Sequence, residues 1–315
     1  MSYVKNYNVG QTKLDLPYAN YIHELPLLSF GDVQHTINLS LVFNYARKAA
    51  GDNSFNIASG FKLNMQKRIV KSNGTPTHFE EADGRYVELT YTCGVYTFDD
   101  KTQRILRSTS TGYEIEYPDF SKEIFNSNGY ITGVYSKYDS TTPFLVYGYG
   151  SGKLTTITYR GTKTVNLYYD SNKLSSIIYA NRTINVRHGT DLVTVKHFSG
   201  VDYHLNSSGN NLIVHSADAG ASYSSTYSHK TTCTKTASAL TVKKEIGSKT
   251  VDTTTYDFLK VNGDKVVVLD VTDKDEIKTR AQFKDDELLY SYEVGLDNDG
   301  FVNGKYCGPL TSIEF

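Results

Sequence analysis

The chain has 315 residues with 33 Lys and Arg against 34 Asp and Glu, so its near-neutral charge excludes a strong field for nucleic acid or anionic lipid. Its apolar fraction is 39%, with 26 Tyr, 14 Phe and no Trp, a composition suited to half-buried pleated surfaces. Cys93, Cys233 and Cys307 are far apart and in no metal-ligand spacing, which argues against a disulfide framework or zinc site and for free thiols.

Met1 to Gly10 is polar and tyrosine-rich and lacks the basic start and apolar run of a signal peptide. No stretch approaches the ~18 apolar residues of a membrane helix. The expectation is a chain made in the cytoplasm without a signal peptide. If it works outside a cell, lysis or a larger secretion machine releases it. Ile37 to Tyr45 alternates with period two and reads as a strand, and Ala46 to Ala50 has room for one helical turn.

The middle of the chain repeats. Leu154, Ile157 and Tyr159 recur as Leu174, Ile177 and Tyr179, each at a spacing of 20 residues. A further unit places Leu192, Val195 and His197 in the same slots, with His197 standing for the tyrosine, and another begins at Leu212. An earlier copy runs from Gly129 to Val134. Turn-forming residues precede each leucine, as in Asp170-Ser171-Asn172 and Ser208-Gly209-Asn210. Each unit therefore reads as a β-hairpin. A lone hairpin is marginal in water, so successive hairpins must pair edge to edge into one sheet, which coils because sheets twist.

Toward the C-terminus, Ala239 to Ile246 and Val251 to Phe258 flank the turn Gly247-Ser248, and Lys265 to Val271 follows Asn262-Gly263-Asp264. Gln282 to Tyr292 is a last repeat-like piece. Ser216 to Ala239, rich in Ser, Thr and Ala, reads as a long loop or edge strand and places a boundary. The organisation is then a β-rich N-terminal cap over 1–75, hairpin repeats over 76–215 and a β meander over 216–315.

Tyr168-Tyr169-Asp170-Ser171-Asn172-Lys173-Leu174 resembles the YD repeat of Rhs-type proteins, bacterial toxin-complex C components and teneurins. Only this unit carries the Tyr-Asp pair outright; Phe98-Asp99-Asp100 and Phe283-Lys284-Asp285-Asp286 resemble degenerate copies. Ile37 to Tyr45 with Phe55, Gly60, Phe61 and Leu63 is similar to the opening segment of Rhs proteins, with Phe61 where a Trp is common. The resemblance covers 30–215 and 280–292. It implies a coiled or wrapped antiparallel sheet of tandem hairpins. The large members enclose a toxin, whereas this chain is short for a closed shell and carries no toxin-like tail. Stand-alone chains of this type resemble bacteriophage structural proteins.

Tests for chemistry return structural readings. Gly148-Tyr149-Gly150-Ser151-Gly152 is out of frame for a nucleophile elbow. His188, His197, His204 and His215 form a local set, read as sheet residues rather than a zinc site. Asp297-Asn298-Asp299-Gly300 misses the glycine and glutamate spacing of a calcium loop, and Asp270, Asp273, Asp275 and Glu276 read as a solvated loop. Tyr147, Tyr149, Tyr168 and Tyr169 offer a possible glycan platform, weighed against a cross-strand aromatic ladder. The expectation is a non-enzymatic structural protein of a virion or other extracellular assembly, such as a phage tail or fibre, partnered by other subunits or by itself and needing no cofactor. The alternatives are an adhesin for a surface glycan or receptor and, last, a glycan-degrading enzyme.

Overall fold

The computed structural model describes residues 6–9, 12–15, 19–33, 35–100, 102–218, 229–262, 265–284 and 287–294. The chain is nearly all β, in antiparallel sheets of many consecutive strands. In chain order come β1 (Asn6–Val9), β2 (Thr12–Asp15), β3 (Asn20–Gly31), β4 (Thr36–Asn44), the short helix α1 (Tyr45–Ala49) and β5 (Phe61–Leu63). Then follow β6 (Arg68–Ser72), β7 (Thr75–Glu80), β8 (Tyr86–Thr92), β9 (Val95–Phe98), β10 (Ile105–Ser108), β11 (Gly112–Glu116), β12 (Lys122–Asn126), β13 (Ile131–Tyr135) and β14 (Leu145–Gly150). The row goes on through β15 (Lys153–Tyr159), β16 (Lys163–Asp170), β17 (Lys173–Tyr179) and β18 (Arg182–His188). The remaining strands are β19 (Leu192–Lys196), β20 (Val201–Asn206), β21 (Asn211–Asp218), β22 (His229–Lys235), β23 (Ala239–Ile246), β24 (Lys249–Asn262), β25 (Lys265–Thr272), β26 (Lys278–Lys284) and β27 (Glu287–Val294).

The described residues divide into two compact units, one from Ile22 to Val186 and one that joins those up to Tyr21 with those from Arg187 onward. In the first unit each strand from β6 to β17 pairs with the next. The sheet curls back on itself: Ile69 N donates to Gly129 O at 2.8 Å and Ile131 N to Lys67 O at 3.4 Å, so β6 meets the start of β13. It does not close into a barrel, because β13 passes the row on to β14 through Gly133↔Val146.

Local chemistry sets the hairpins. Asn73-Gly74, Cys93-Gly94, Ser151-Gly152 and Ser171-Asn172 each place two consecutive residues at positive φ, as a two-residue type I′ turn requires. The turn read at Asp170-Ser171-Asn172 is one of these, with Asp170 paired to Lys173. A hydroxyl then ties each such hairpin: Thr77 to Val70 O (3.3 Å), Thr97 to Thr90 O (3.3 Å), Thr155 to Gly148 O (3.1 Å) and Ser175 to Tyr168 O (3.0 Å). Thr132 makes the same bond to Ile124 O (3.2 Å) in the β12–β13 hairpin. All but the second sit at a β-bulge.

Leu154, Ile157, Tyr159, Leu174 and Ile177 are all buried, and Tyr179 is half-buried with its ring 5.8 Å from that of Phe30. Asp170, the last residue of β16, is exposed. In the second unit Leu212 is in the core, but the repeat slips at Leu192. That side chain is half-buried and the core places go to Val193 and Val195. His197 is half-buried, its Nδ1 2.7 Å from Ser199 Oγ, in a turn rather than in a ladder slot. One residue of phase exchanges the two faces of a strand, so spacing alone misassigns Leu192.

In the second unit β19 to β27 also pair in sequence. The ladder runs on from β21 to β22, so the patch from Ser216 to Ala239 contains a paired strand, with 219–228 outside the described residues. Leu205, Leu212, Cys233, Leu240, Val242, Tyr256 and Leu269 fill this core. Burial pushes the Cys233 thiol up to about 12. Cys93 is an exposed free thiol, and Cys307 lies outside the described residues.

Candidate functional site

The densest arrangement of charge lies in the first unit, where the cap segment meets β6 to β8. Asn44 ends β4 and caps α1, accepting the Arg47 N–H at 3.3 Å. The short turn of helix presents Arg47 inward, fully buried. Two glycines make the approach possible. Gly60 sits at φ +83°, where a Cβ would lie 2.7 Å from Lys48 Cβ, and Gly84 sits at φ +82°, where one would lie 2.8 Å from Arg47 Cδ.

Glu80, at the end of β7, is wholly buried and its carboxylate gathers three cations. Arg47 Nη1 pairs with Oε1, Lys62 Nζ lies 3.2 Å from the same oxygen, and Arg68 Nε donates to Oε2 at 2.5 Å. Asp52 takes the other side of both guanidiniums, 3.1 Å from Arg47 Nη2 and 3.4 Å from Arg68 Nη2, and accepts from Tyr86 OH at 2.8 Å. The Phe55 ring carries Arg47, Lys62 and Arg68 within 4.8 to 5.0 Å of its centroid.

The electrostatics follow from burial and these neighbours. Burial, reinforced by Arg47 and Arg68, drives the Lys62 ammonium well below its usual range. Burial also lowers Arg47, against the pull of Asp52. Asp52 is desolvated, which alone would raise it, but hydrogen bonds from Ser54 and the Arg47 charge bring it down to about 2. Lys62 is spent on Glu80 and on the Glu81 carbonyl at 2.5 Å. The arrangement is a clamp between the cap and the sheet wall.

A second set lies alongside. Arg104 pairs with Glu81 and, at 2.5 Å, with Asp100, and stacks 4.2 Å over Phe98. Phe79 meets Phe98 and Phe125 edge-on. Lys67 pairs with Glu123 at 2.6 Å; burial opposes its charge, but Glu123 raises it further.

Three of the tyrosines, Tyr147, Tyr149 and Tyr169, turn inward as neighbours, and Tyr168 points to solvent. Tyr147 is only 6% exposed with its hydroxyl 3.7 Å from Met65 Sδ. Tyr149 is half-buried, its ring 5.5 Å from that of Tyr130. Tyr169 is half-buried and donates to Leu154 O at 2.8 Å, while its neighbour Tyr168 is 51% exposed. The four do not form one exposed platform, because Tyr147, Tyr149 and Tyr169 take inward positions of their strands and only Tyr168 is exposed. The cleft lined by Phe55, Asn56, Gln66, Tyr130, Tyr149 and Lys153 has room for a single water.

Of the histidines, His204 and His215 face each other across β20 and β21 with ring centroids 4.9 Å apart. Among the described residues no group of three His, Cys, Asp or Glu is placed to hold a metal ion. Asp270 is taken by Arg280 at 2.7 and 3.0 Å, and Asp273 caps its own turn at Asp275 and Ile277. Asp297 to Gly300 lie outside the described residues. The sequence reading found Phe55, Phe61 and Leu63 but not Arg47, Lys62 or Glu80. A glutamate beside Phe79 breaks the alternation of β7, and both are buried because the end of that strand is covered on both faces, whereas Thr75 and His78 are exposed. No helix among the described residues is long and apolar enough to cross a membrane. No family model and no curated protein matches the chain.

Proposed function

We propose that the chain is a non-enzymatic structural component of a larger extracellular assembly, with a phage tail, fibre or virion surface as the setting its hairpin repeats suggest. One observation carries the reading. The second unit exposes aliphatic side chains on its strands: Ile246 on β23, Val251, Leu259 and Val261 on β24, and Leu289 on β27. In the first unit the exposed large apolar residues on strands are tyrosines apart from Val146. The 14-residue β24 overhangs its core, buried at Tyr256 and Phe258 and exposed at both ends. Burying Leu259, Val261 and Leu289 against a neighbour would each contribute on the order of 1–2 kcal/mol to association. The partner is another structural subunit or a second copy of the chain.

Light scattering over a range of concentrations tests this. A defined oligomer, or assembly with other particle proteins, that is lost in the double variant Leu259→Lys, Val261→Lys supports the reading. A monomer at high concentration that joins no particle protein overturns it.

A further inference from the structure

The chain holds Asn-Gly at 73–74, 128–129, 262–263 and 303–304. Both residues of the first two pairs are described, and the fold treats the two pairs differently. Asn-Gly is a pair that a two-residue type I′ turn favours, because both of its residues take positive φ there. It is also the pair in which a side-chain amide is most open to attack by its own backbone. Glycine has no Cβ to hold its nitrogen away from the preceding Cγ.

Asn73 and Gly74 form the tip of the β6–β7 hairpin, between the paired Ser72 and Thr75, at φ +50° and +83°. Both are exposed. A Cβ added to Gly74 would meet nothing within 4 Å. Among the described residues no hydrogen bond holds the Gly74 N–H or the Asn73 carboxamide. The nitrogen and the carboxamide are thus both open to solvent and to each other.

Asn128 and Gly129 are held in place. The Gly129 N–H donates to Asn126 O at 2.8 Å, and the Gly129 carbonyl accepts from Ile69 N at 2.8 Å. Gly129 is buried, and a Cβ there would collide with Ile69 O. The Asn128 N–H donates to Asn126 Oδ1 at 3.0 Å. A nitrogen whose proton is spent on a carbonyl is hard to deprotonate, and a glycine tied on both sides cannot swing toward Cγ.

We propose that Asn73-Gly74 is a site of self-modification, at which the folded chain converts its own asparagine into aspartate and isoaspartate. Hydroxide removes the Gly74 amide proton, and the nitrogen attacks Asn73 Cγ. The new C–N bond closes a five-membered succinimide as the Cγ–Nδ2 bond breaks and ammonia leaves. Water then adds to either ring carbonyl and breaks its bond to nitrogen. Opening at Cγ gives aspartate, and opening at the main-chain carbonyl gives isoaspartate. Water is consumed and ammonia released, with no change of oxidation state. The aspartate product keeps the turn, since Asp-Gly also suits type I′. Isoaspartate adds a methylene to the main chain of a turn with no slack. It therefore loosens the Ser72–Thr75 pairing and, behind it, the bond from Thr77 Oγ1 to Val70 O.

The test is peptide mapping of the full chain by mass spectrometry after incubation at mildly alkaline pH, with isoaspartyl methyltransferase labelling to tell the two products apart. In the folded chain Asn73 should convert at least tenfold faster than Asn128, with isoaspartate among its products. In urea the two should convert at similar rates, because nothing then shields Gly129. The proposal is overturned if Asn73 in the folded chain converts no faster than Asn128. It is overturned too if aspartate alone forms, since a succinimide opens both ways, or if the gap between the two sites persists in urea, which would assign it to local sequence rather than to the fold.

Discussion

The two units solve the same problem, a long row of antiparallel hairpins, by different means. The first uses tight type I′ turns and a hydroxyl bond at the bulges of its hairpins from β6 to β17, and joins its sheet to the cap with charge. The second uses longer strands around an apolar core of Leu205, Leu212, Leu240, Val242 and Leu269, and leaves aliphatic side chains outside. Ion pairs in the first unit are specific in direction and costly to break, because one missing partner strands a buried charge. Aliphatic contacts in the second are non-directional and scale with the apolar area they remove from water.

The sharpest way to break this contrast is at Glu80. Glu80→Gln leaves the buried Arg47 and Lys62 and the half-buried Arg68 without their shared counter-charge, and should cost about 3–5 kcal/mol. Hydrogen exchange should show the amides of β6 to β8 opening faster while those of β22 to β25 keep their rates. Equal acceleration in both would mean the clamp is not local to the first unit.

Acid should strain both units and then separate them. Burial lowers His23 in the first unit to about 4, against a pull from Glu24, and burial with His204 and Lys230 lowers His215 in the second to about 4. The folded form thus takes up fewer protons than the unfolded one between pH 6.5 and 4. Stability is whole above about 6.5 and falls as the pH drops through that window, by about 3 kcal/mol per histidine. The first unit then loses more between 3.8 and about 2, where Asp52 is protonated in the unfolded chain but not in the folded one. Urea unfolding at pH 7 and pH 4.5 measures the first window, and His215→Asn should flatten it for the second unit alone.

Smaller effects sharpen the hairpin rule. Thr155→Val and Ser175→Ala each remove one bulge bond and should cost about 1 kcal/mol, seen in urea midpoints without change of slope. Phe120→Gly relieves a positive φ and should gain up to about 1 kcal/mol, raising the thermal midpoint. A loss of stability there would show that the ring has an internal role.

Much of the first unit was legible because its signals are local. The spacing of Leu154 and Leu174 and the turn at Ser171-Asn172 act over a few residues, and the strands from β14 to β18 follow from them. β3 was not legible. Pro26 lies within it, and the register shift between Pro26 and Leu28 is what lets the strand keep its ladder. Nor was the left-handed backbone at Phe120, which reads as an ordinary apolar residue until its φ and exposure are known.

By itself, then, the sequence determined the class of fold and the hairpin unit, through turn chemistry and the alternation of short strands. It did not determine which faces are covered twice, or which charges meet. Lys67 and Glu123 are 56 residues apart, and Glu80 draws its cations from a helix, from β5 and from β6. Such pairings are chosen only when the sheet curls and brings distant strands together, because the attraction between two charges depends on their separation in space and on the water excluded around them, not on their order along the chain.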